Sequence, residues 1–159
     1  MKASTLLVSA ILSLTPISEL RGAIPYAVAA GMPLVAAALW CVAWNALAAP
    51  LAYLFLATFH KLFYRFKPYR NFFDRFVEKA RGKVHASVEK YGYLGLAVFV
   101  GVPLPVTGAW TGALGAWILG MDRKKSVLAI VLGVAAAGAI VSLVVGLGVG
   151  ALSIFVKRV

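Results

Sequence analysis

Four apolar stretches fill most of the chain, and two of them are interrupted in the same way. Residues 3–31 are apolar except at PISELRGAIP, Pro16 to Pro25, which holds Glu19 and Arg21 between two prolines with Gly22 after the arginine. Residues 91–120 are apolar around PLPVTGAWTG, Pro103 to Gly112, with Pro103, Pro105, Thr107, Gly108 and Trp110 at the break. A crossing helix needs ~20 apolar residues at 1.5 Å rise. Each half of an interrupted stretch is about half of that, so the pattern predicts two short helices meeting at an irregular tip, once in each stretch. The other two stretches are continuous. Residues 33–59 carry no charge and are long enough to cross with some tilt, with a kink expected at Pro50. Residues 126–156 form a second long helix rich in small residues, Gly133, Ala137, Gly138, Gly146 and Gly150. Small residues let helices approach closely, and packing within the chain and contact in a homodimer are both open.

The hydrophilic residues gather between these stretches. From His60 to Lys90 the apolar positions Phe72, Phe73, Phe76, Val77, Ala80, Val84 and Val88 recur at helical spacing opposite a basic face. That pattern predicts an amphipathic helix lying on the cytoplasmic membrane surface against anionic headgroups. MDRKK, 121–125, reads as a short charged loop. The opening MKASTLLVSAILSL resembles a signal peptide, but Pro16 and Glu19 spoil the cleavage region, so it is kept as structure.

Composition sharpens the class. The chain has 159 residues, 62% of them hydrophobic, and a mean hydropathy of +0.91, which points to one membrane domain in the cell membrane, multi-pass. The net charge of +11 does not point to nucleic acid, because nine of the sixteen Lys and Arg lie between Lys61 and Lys90 and three more at Arg123 to Lys125, as the positive-inside pattern requires. The lone Cys41 excludes an internal disulfide. No nucleotide-binding loop and no zinc or nucleophile signature is present, so neither a cofactor, a metal nor an enzyme is expected.

The order interrupted segment, long helix, basic linker, interrupted segment, long helix suggests an internal duplication, with Gly22-Ala23 laid over Gly108-Ala109. Gly/Pro-interrupted apolar segments in matching positions point to a transporter binding site. Charge counting does not decide whether the interrupted segments return to the same side or cross, since both give 12 Lys and Arg inside and 3 outside. The paired prolines favour return, because proline in a helix interior costs ~3 kcal/mol. The expected fold is an all-α integral membrane inverted repeat of two re-entrant helical hairpins, each followed by a transmembrane helix. The expected units are hairpin 3–31 with helix 33–59, a basic linker 60–90, and hairpin 91–120 with helix 126–156.

The candidate chemistry sits at the tips. An ionisable group at mid-bilayer costs ~2.5–3.5 kcal/mol on insertion scales, so Glu19 and Arg21 need a reason. One reading is a mutually neutralising pair that fixes the tip. The other is a wet cavity where they bind substrate or protons, with Glu19 as the proton carrier. The second half-helix of each hairpin begins near Gly22 or Gly108, and helix N-termini carry free N–H groups and partial positive charge. Two such ends with Arg21 suit an anion, and arginine suits phosphate. Ser18 and Thr107 are candidate caps or ligand contacts. Trp110 either walls the cavity or packs. Asn45, the strongly polar side chain of 33–59, is assigned to the same site. Pro16, Pro25, Pro103 and Pro105 shape the tips.

On PISELRGAIP and the PLPVTGAWTG that follows the basic linker, nearly the whole chain resembles the small multidrug export protein family. That family in turn is distantly similar to the DedA superfamily, which implies two facing re-entrant hairpins, an acidic first motif matching Glu19, and a proton-driven polyprenyl phosphate carrier as substrate. The DedA second motif carries an arginine, whereas here Arg21 sits in the first. The resemblance implies a secondary transporter or flippase for an anionic lipid phosphate. Its alternatives are an exporter of amphipathic cations using Glu19 with Trp40, Trp44 and Trp110, and a membrane scaffold acting through its basic helix. The expected partners are membrane lipids and the transported small molecule.

Overall fold

The computed structural model describes residues 2–58, 65–104 and 107–156, with side chains left out at 69, 72–73, 76–77, 79–87, 89–90 and 149–156. The described residues are helical with no strand. They form α1 (Ala3–Leu14), α2 (Glu19–Ala29), α3 (Leu34–Ala46), α4 (Ala48–Thr58), α5 (Lys67–Gly101), α6 (Ala109–Ile118) and α7 (Arg123–Val156). Among the described residues two runs are long and apolar enough to cross a membrane, Leu34–Thr58 and Arg123–Gly148. By contrast α1, α2 and α6 have 12, 11 and 10 residues, and the apolar end of α5, Tyr91–Gly101, is as short. At 1.5 Å per residue each reaches about 15–18 Å, half of a hydrocarbon core.

The packing is inverted relative to a soluble protein. Nearly half of the core among the described residues is alanine, including Ala23, Ala27, Ala37, Ala48, Ala49, Ala109, Ala113 and Ala116, all fully buried. Large side chains point outward, among them Val35, Leu39, Leu128, Leu143 and Leu147, each 62–71% exposed. Lipid tails solvate leucine as well as a core does, and close helix contact then favours small residues. Gly133 packs against the Ala97 carbonyl and Val100, Gly138 against Val42, and Gly146 against Leu34. These three small residues serve packing within the chain; Gly150 lies outside the described side chains.

α1 packs on α2 and α3, and the end of α5 packs on α6 and α7. α2 also packs on α7, and α6 on α4, so each long helix touches elements of both halves. Two chain reversals match closely. After α2, Gly31 (φ 89) donates to the Val28 carbonyl and Met32 to the Ala27 carbonyl. After α6, Gly120 (φ 66) donates to Trp117 and Met121 to Ala116. Both are glycine caps that need a left-handed residue. Laying Gly31 over Gly120 puts Glu19 opposite Gly108, one helical turn from the Gly22 alignment drawn from the sequence. Pro25, expected to bracket the first tip, lies inside α2.

The long helix breaks at Leu47, one turn before Pro50. A proline lacks the N–H that the carbonyl four residues back expects, and its ring crowds that carbonyl. α5, Lys67–Gly101, is two helices that meet at the non-helical Gly92 (φ 57, ψ −130), so the linker helix and the second apolar arm are separated by a glycine kink within two residues of the expected boundary and follow one another with no loop between them. The apolar stripe from Phe72 to Val84 lies outside the described side chains.

Candidate functional site

α1 ends at Leu14, and the chain turns through Thr15, Pro16, Ile17 and Ser18 before α2 begins at Glu19. Pro16 and Ile17 are exposed. Glu19 has φ 45, in the left-handed region that a residue with a side chain seldom takes. Such a conformation costs about 1–3 kcal/mol and persists only when the surroundings hold it. The second tip leaves α5 at Val102, passes Pro103 and Leu104, and reaches α6 through Thr107 and the extended Gly108.

The surroundings that hold Glu19 belong to the other tip. Its carboxylate is buried, 7% exposed, and accepts the Trp110 N–H at 3.5 Å and the Ala109 N–H beside it. The acid of the first half therefore caps the N-terminus of α6 in the second, where free N–H groups and partial positive charge gather. Gly108 leaves room for this, because a Cβ there would collide with the carboxylate. Arg21 donates to the Thr107 carbonyl and lies within electrostatic reach of Glu19. In return the Trp110 indole N–H donates to the Leu14 carbonyl at 2.8 Å, and Asn45 in α3 donates to the Ser13 carbonyl at 2.6 Å. The last carbonyls of α1 and the first amides of α6 are thus satisfied across the molecule, as irregular backbone buried in an apolar medium requires.

Between these groups lies a cavity of about 10 Å³, room for about one water. Its walls include Glu19, Arg21, Asn45, Pro103 and Thr107, with Val134 and Ala137 of α7 behind. The structure brings these five sequence candidates together. Gly108 and Trp110 act beside the cavity, through clearance and hydrogen bonds. Ser18 and Gly22 do not line it, and no side-chain cap is formed by Ser18. Thr107 caps nothing in α6 either. Its hydroxyl lies 2.8 Å from both the Val102 and Leu104 carbonyls and so ties its own loop. Pro16 stands exposed at the first turn, and Pro105 lies outside the described residues. Trp40 donates to the Leu6 carbonyl at 3.2 Å and meets Trp44 edge-on, which makes the pair packing groups. Sequence reasoning missed Leu20, Val100, Val134, Ala137 and Val141, since an apolar wall residue reads like its lipid-facing neighbours.

Residues 19–140 match the sequence profile of the family described as "Putative small multi-drug export protein". The chain belongs to that family. The matched region opens at Glu19, just after the first turn, and takes in α2, the linker, the second tip and about the first half of α7. No curated protein and no solved structure matches the chain. The family's description is that of an export protein, which is not an enzyme class. With two helices fit to cross and leucines facing outward, this member of the small multi-drug export family is a membrane protein.

Proposed function

We propose that this protein is a proton-coupled exporter of amphipathic, cationic compounds, with Glu19 as the group that proton and cargo share. The observation that carries this reading is the buried Glu19 carboxylate, in a left-handed backbone, capping the N-terminus of α6 beside the small cavity. A carboxylate that binds a proton or a cation gives up its strong acceptor role toward backbone N–H groups. Loading Glu19 and holding α6 are therefore competing states of one side chain. In the unloaded state the tips are joined and the cavity is closed to about one water. Loading releases α6 from α2 and opens the joint to one side, and unloading restores it.

The lipid-phosphate cargo implied by the distant resemblance has less behind it. The α6 N-terminus that would receive a phosphate already holds the protein's own carboxylate. An anion entering there would strand Glu19 in an apolar setting, and stranding a buried charge costs about 3–5 kcal/mol.

The finer architecture belongs to the same proposal. α1 with α2, and Tyr91–Gly101 with α6, enter and return as two re-entrant hairpins of an inverted repeat. The half-length helices, the matched glycine caps and the cross-satisfied tips support this. The units are 1–59 and 91–159 around the linker 60–90, multi-pass in the cell membrane, with the basic linker on the cytoplasmic side. The test uses purified protein in liposomes, with ethidium as cargo and an imposed pH gradient. Wild type drives ethidium against its gradient, and Glu19→Gln abolishes that movement. Movement of a polyprenyl phosphate lost in Arg21→Ala, with ethidium unmoved by wild type, would reverse the assignment.

A further inference from the structure

Tyr53 in α4 and Ser126 in the first turn of α7 are buried, 6% and 0% exposed, and among the described residues neither hydroxyl has a hydrogen bond of ordinary geometry. They face each other across the seam between the two helices, close enough to interact directly but outside ordinary hydrogen-bond geometry. The contrast within the molecule is informative. Ser9 and Ser13 of α1 are equally buried, and each donates to the carbonyl one turn back, at 2.7 and 2.8 Å. Buried polar groups are almost always partnered, and an exception asks for a cause such as an internal water.

Their position supplies the cause. The two long helical runs that carry Tyr53 and Ser126 also wall the cavity, at Asn45 and Val134. Along both walls the hydroxyls lie about eight residues, roughly 12 Å, from the cavity, toward the charged loop. On that loop side Tyr53 is within electrostatic reach of Arg123 of α7, Tyr93 of α5 and Asp122 of the loop. Tyr93 closes the set by accepting the Asp122 N–H at 3.2 Å.

We infer that Tyr53 and Ser126 share an internal water beside them and form the station through which protons pass between the Glu19 cavity and the Asp122 face. The inference rests on the reading of Glu19 as proton carrier. Each hydroxyl accepts a proton on its oxygen as it gives its own to the next water, so neither gains a lasting charge. Two hydroxyls and a water suit this better than a carboxylate, because no ion has to be kept in the seam.

The test separates proton supply from cargo handling in the same liposomes. Ethidium transport driven by a pH gradient is measured beside ethidium exchange at equal pH on both sides. Tyr53→Phe and Ser126→Ala should slow gradient-driven transport about tenfold and leave exchange unchanged. The deficit should shrink as the pH of the proton-supplying side is lowered, and Ser126→Thr should restore the rate. A purely structural pair would lower transport and exchange together with no change in pH profile, and that result overturns the station. So does gradient-driven transport at the wild-type rate in both variants. If Tyr53→Phe does not fold, Ser126→Ala with its threonine control carries the same test. Loss of coupling in Glu19→Gln with full coupling in Tyr53→Phe would sink the station alone. Full coupling in Glu19→Gln would sink the reading beneath it.

Discussion

The two tips resemble each other in the sequence and play opposite parts in the structure. The first supplies charge, Glu19 and Arg21, on a turn whose hydroxyl Ser18 caps nothing. The second supplies backbone, the first amides of α6 and the Thr107 carbonyl, and returns one side-chain donor, Trp110. Each tip alone would leave polar groups unpaired in an apolar medium. Joined, they satisfy each other. The two tips are thus a complementary pair, and the Glu19 carboxylate joins them.

Gly108→Ala should break this complementarity hardest. Gly108 has an extended backbone, φ 163, that alanine adopts freely, so the variant tests contact alone. Its Cβ would occupy the space of the Glu19 carboxylate. Expelling that buried charge from its donors should cost about 3 kcal/mol or more. Thermal unfolding in mild detergent should show the lowest midpoint of the series, and unaltered stability would mean that the tips do not meet as described.

Glu19→Gln comes next. Glutamine keeps an acceptor for the α6 amides and loses the charge that strengthens the bonds. The expected loss is about 1–2 kcal/mol, the range of a helix cap, seen in the same unfolding measurement. The strained backbone at φ 45 remains in both proteins, so the difference reports the carboxylate. A gain in stability would instead mark Glu19 as strained for function at the expense of the fold.

What was legible in the sequence follows from which interactions are local. Helix positions, the two tips and the turns at Gly31 and Gly120 depend on neighbours along the chain, and apolar runs with glycine and proline reveal them. The costliest residues, Glu19 and Arg21, stood out because charge in an apolar stretch is rare. Their partners were not legible. Nothing near Glu19 in sequence says that its acceptors serve amides of residues 109 and 110, and a candidate anion site at the α6 N-terminus reads the same whether empty or filled by the protein itself. Of the two readings of Thr107, the cap fails for a similar reason: a threonine before a helix looks like a cap, and only the path of the loop turns its hydroxyl back to Val102 and Leu104. The boundary between linker and second arm was legible to within two residues, and the kink at Gly92 that makes it is local too.

Trp110→Phe probes the return donation. It keeps the aromatic bulk and removes the N–H that reaches the Leu14 carbonyl at 2.8 Å. A buried carbonyl left without its donor should cost about 1 kcal/mol. The same change in Trp40, whose N–H reaches Leu6 at 3.2 Å within the first half, should cost a similar amount of stability. Only the Trp110 variant weakens the link between tips, so ethidium transport should change in that variant and not in Trp40→Phe. Equal transport in the two would mean that the indole contributes packing only.

Gly22→Ala should have the smallest effect, and its smallness is the point. The sequence lays Gly22 over Gly108, and a Cβ at either position meets an oxygen. At Gly22 that oxygen is the Ser18 hydroxyl, one turn away on the same tip and half-buried, with other rotamers open to it. Gly22 also lies within α2, where alanine gains up to about 1 kcal/mol of helix propensity. Rotating Ser18 offsets part of that gain, so the unfolding midpoint should move little in either direction. At Gly108 the oxygen belongs to the opposite half and is fixed by its donors, so nothing can rotate away cheaply. A loss in Gly22→Ala as large as that in Gly108→Ala would make the two glycines true equivalents. The alignment through Gly31 and Gly120, which sets Glu19 opposite Gly108, would then be the wrong register.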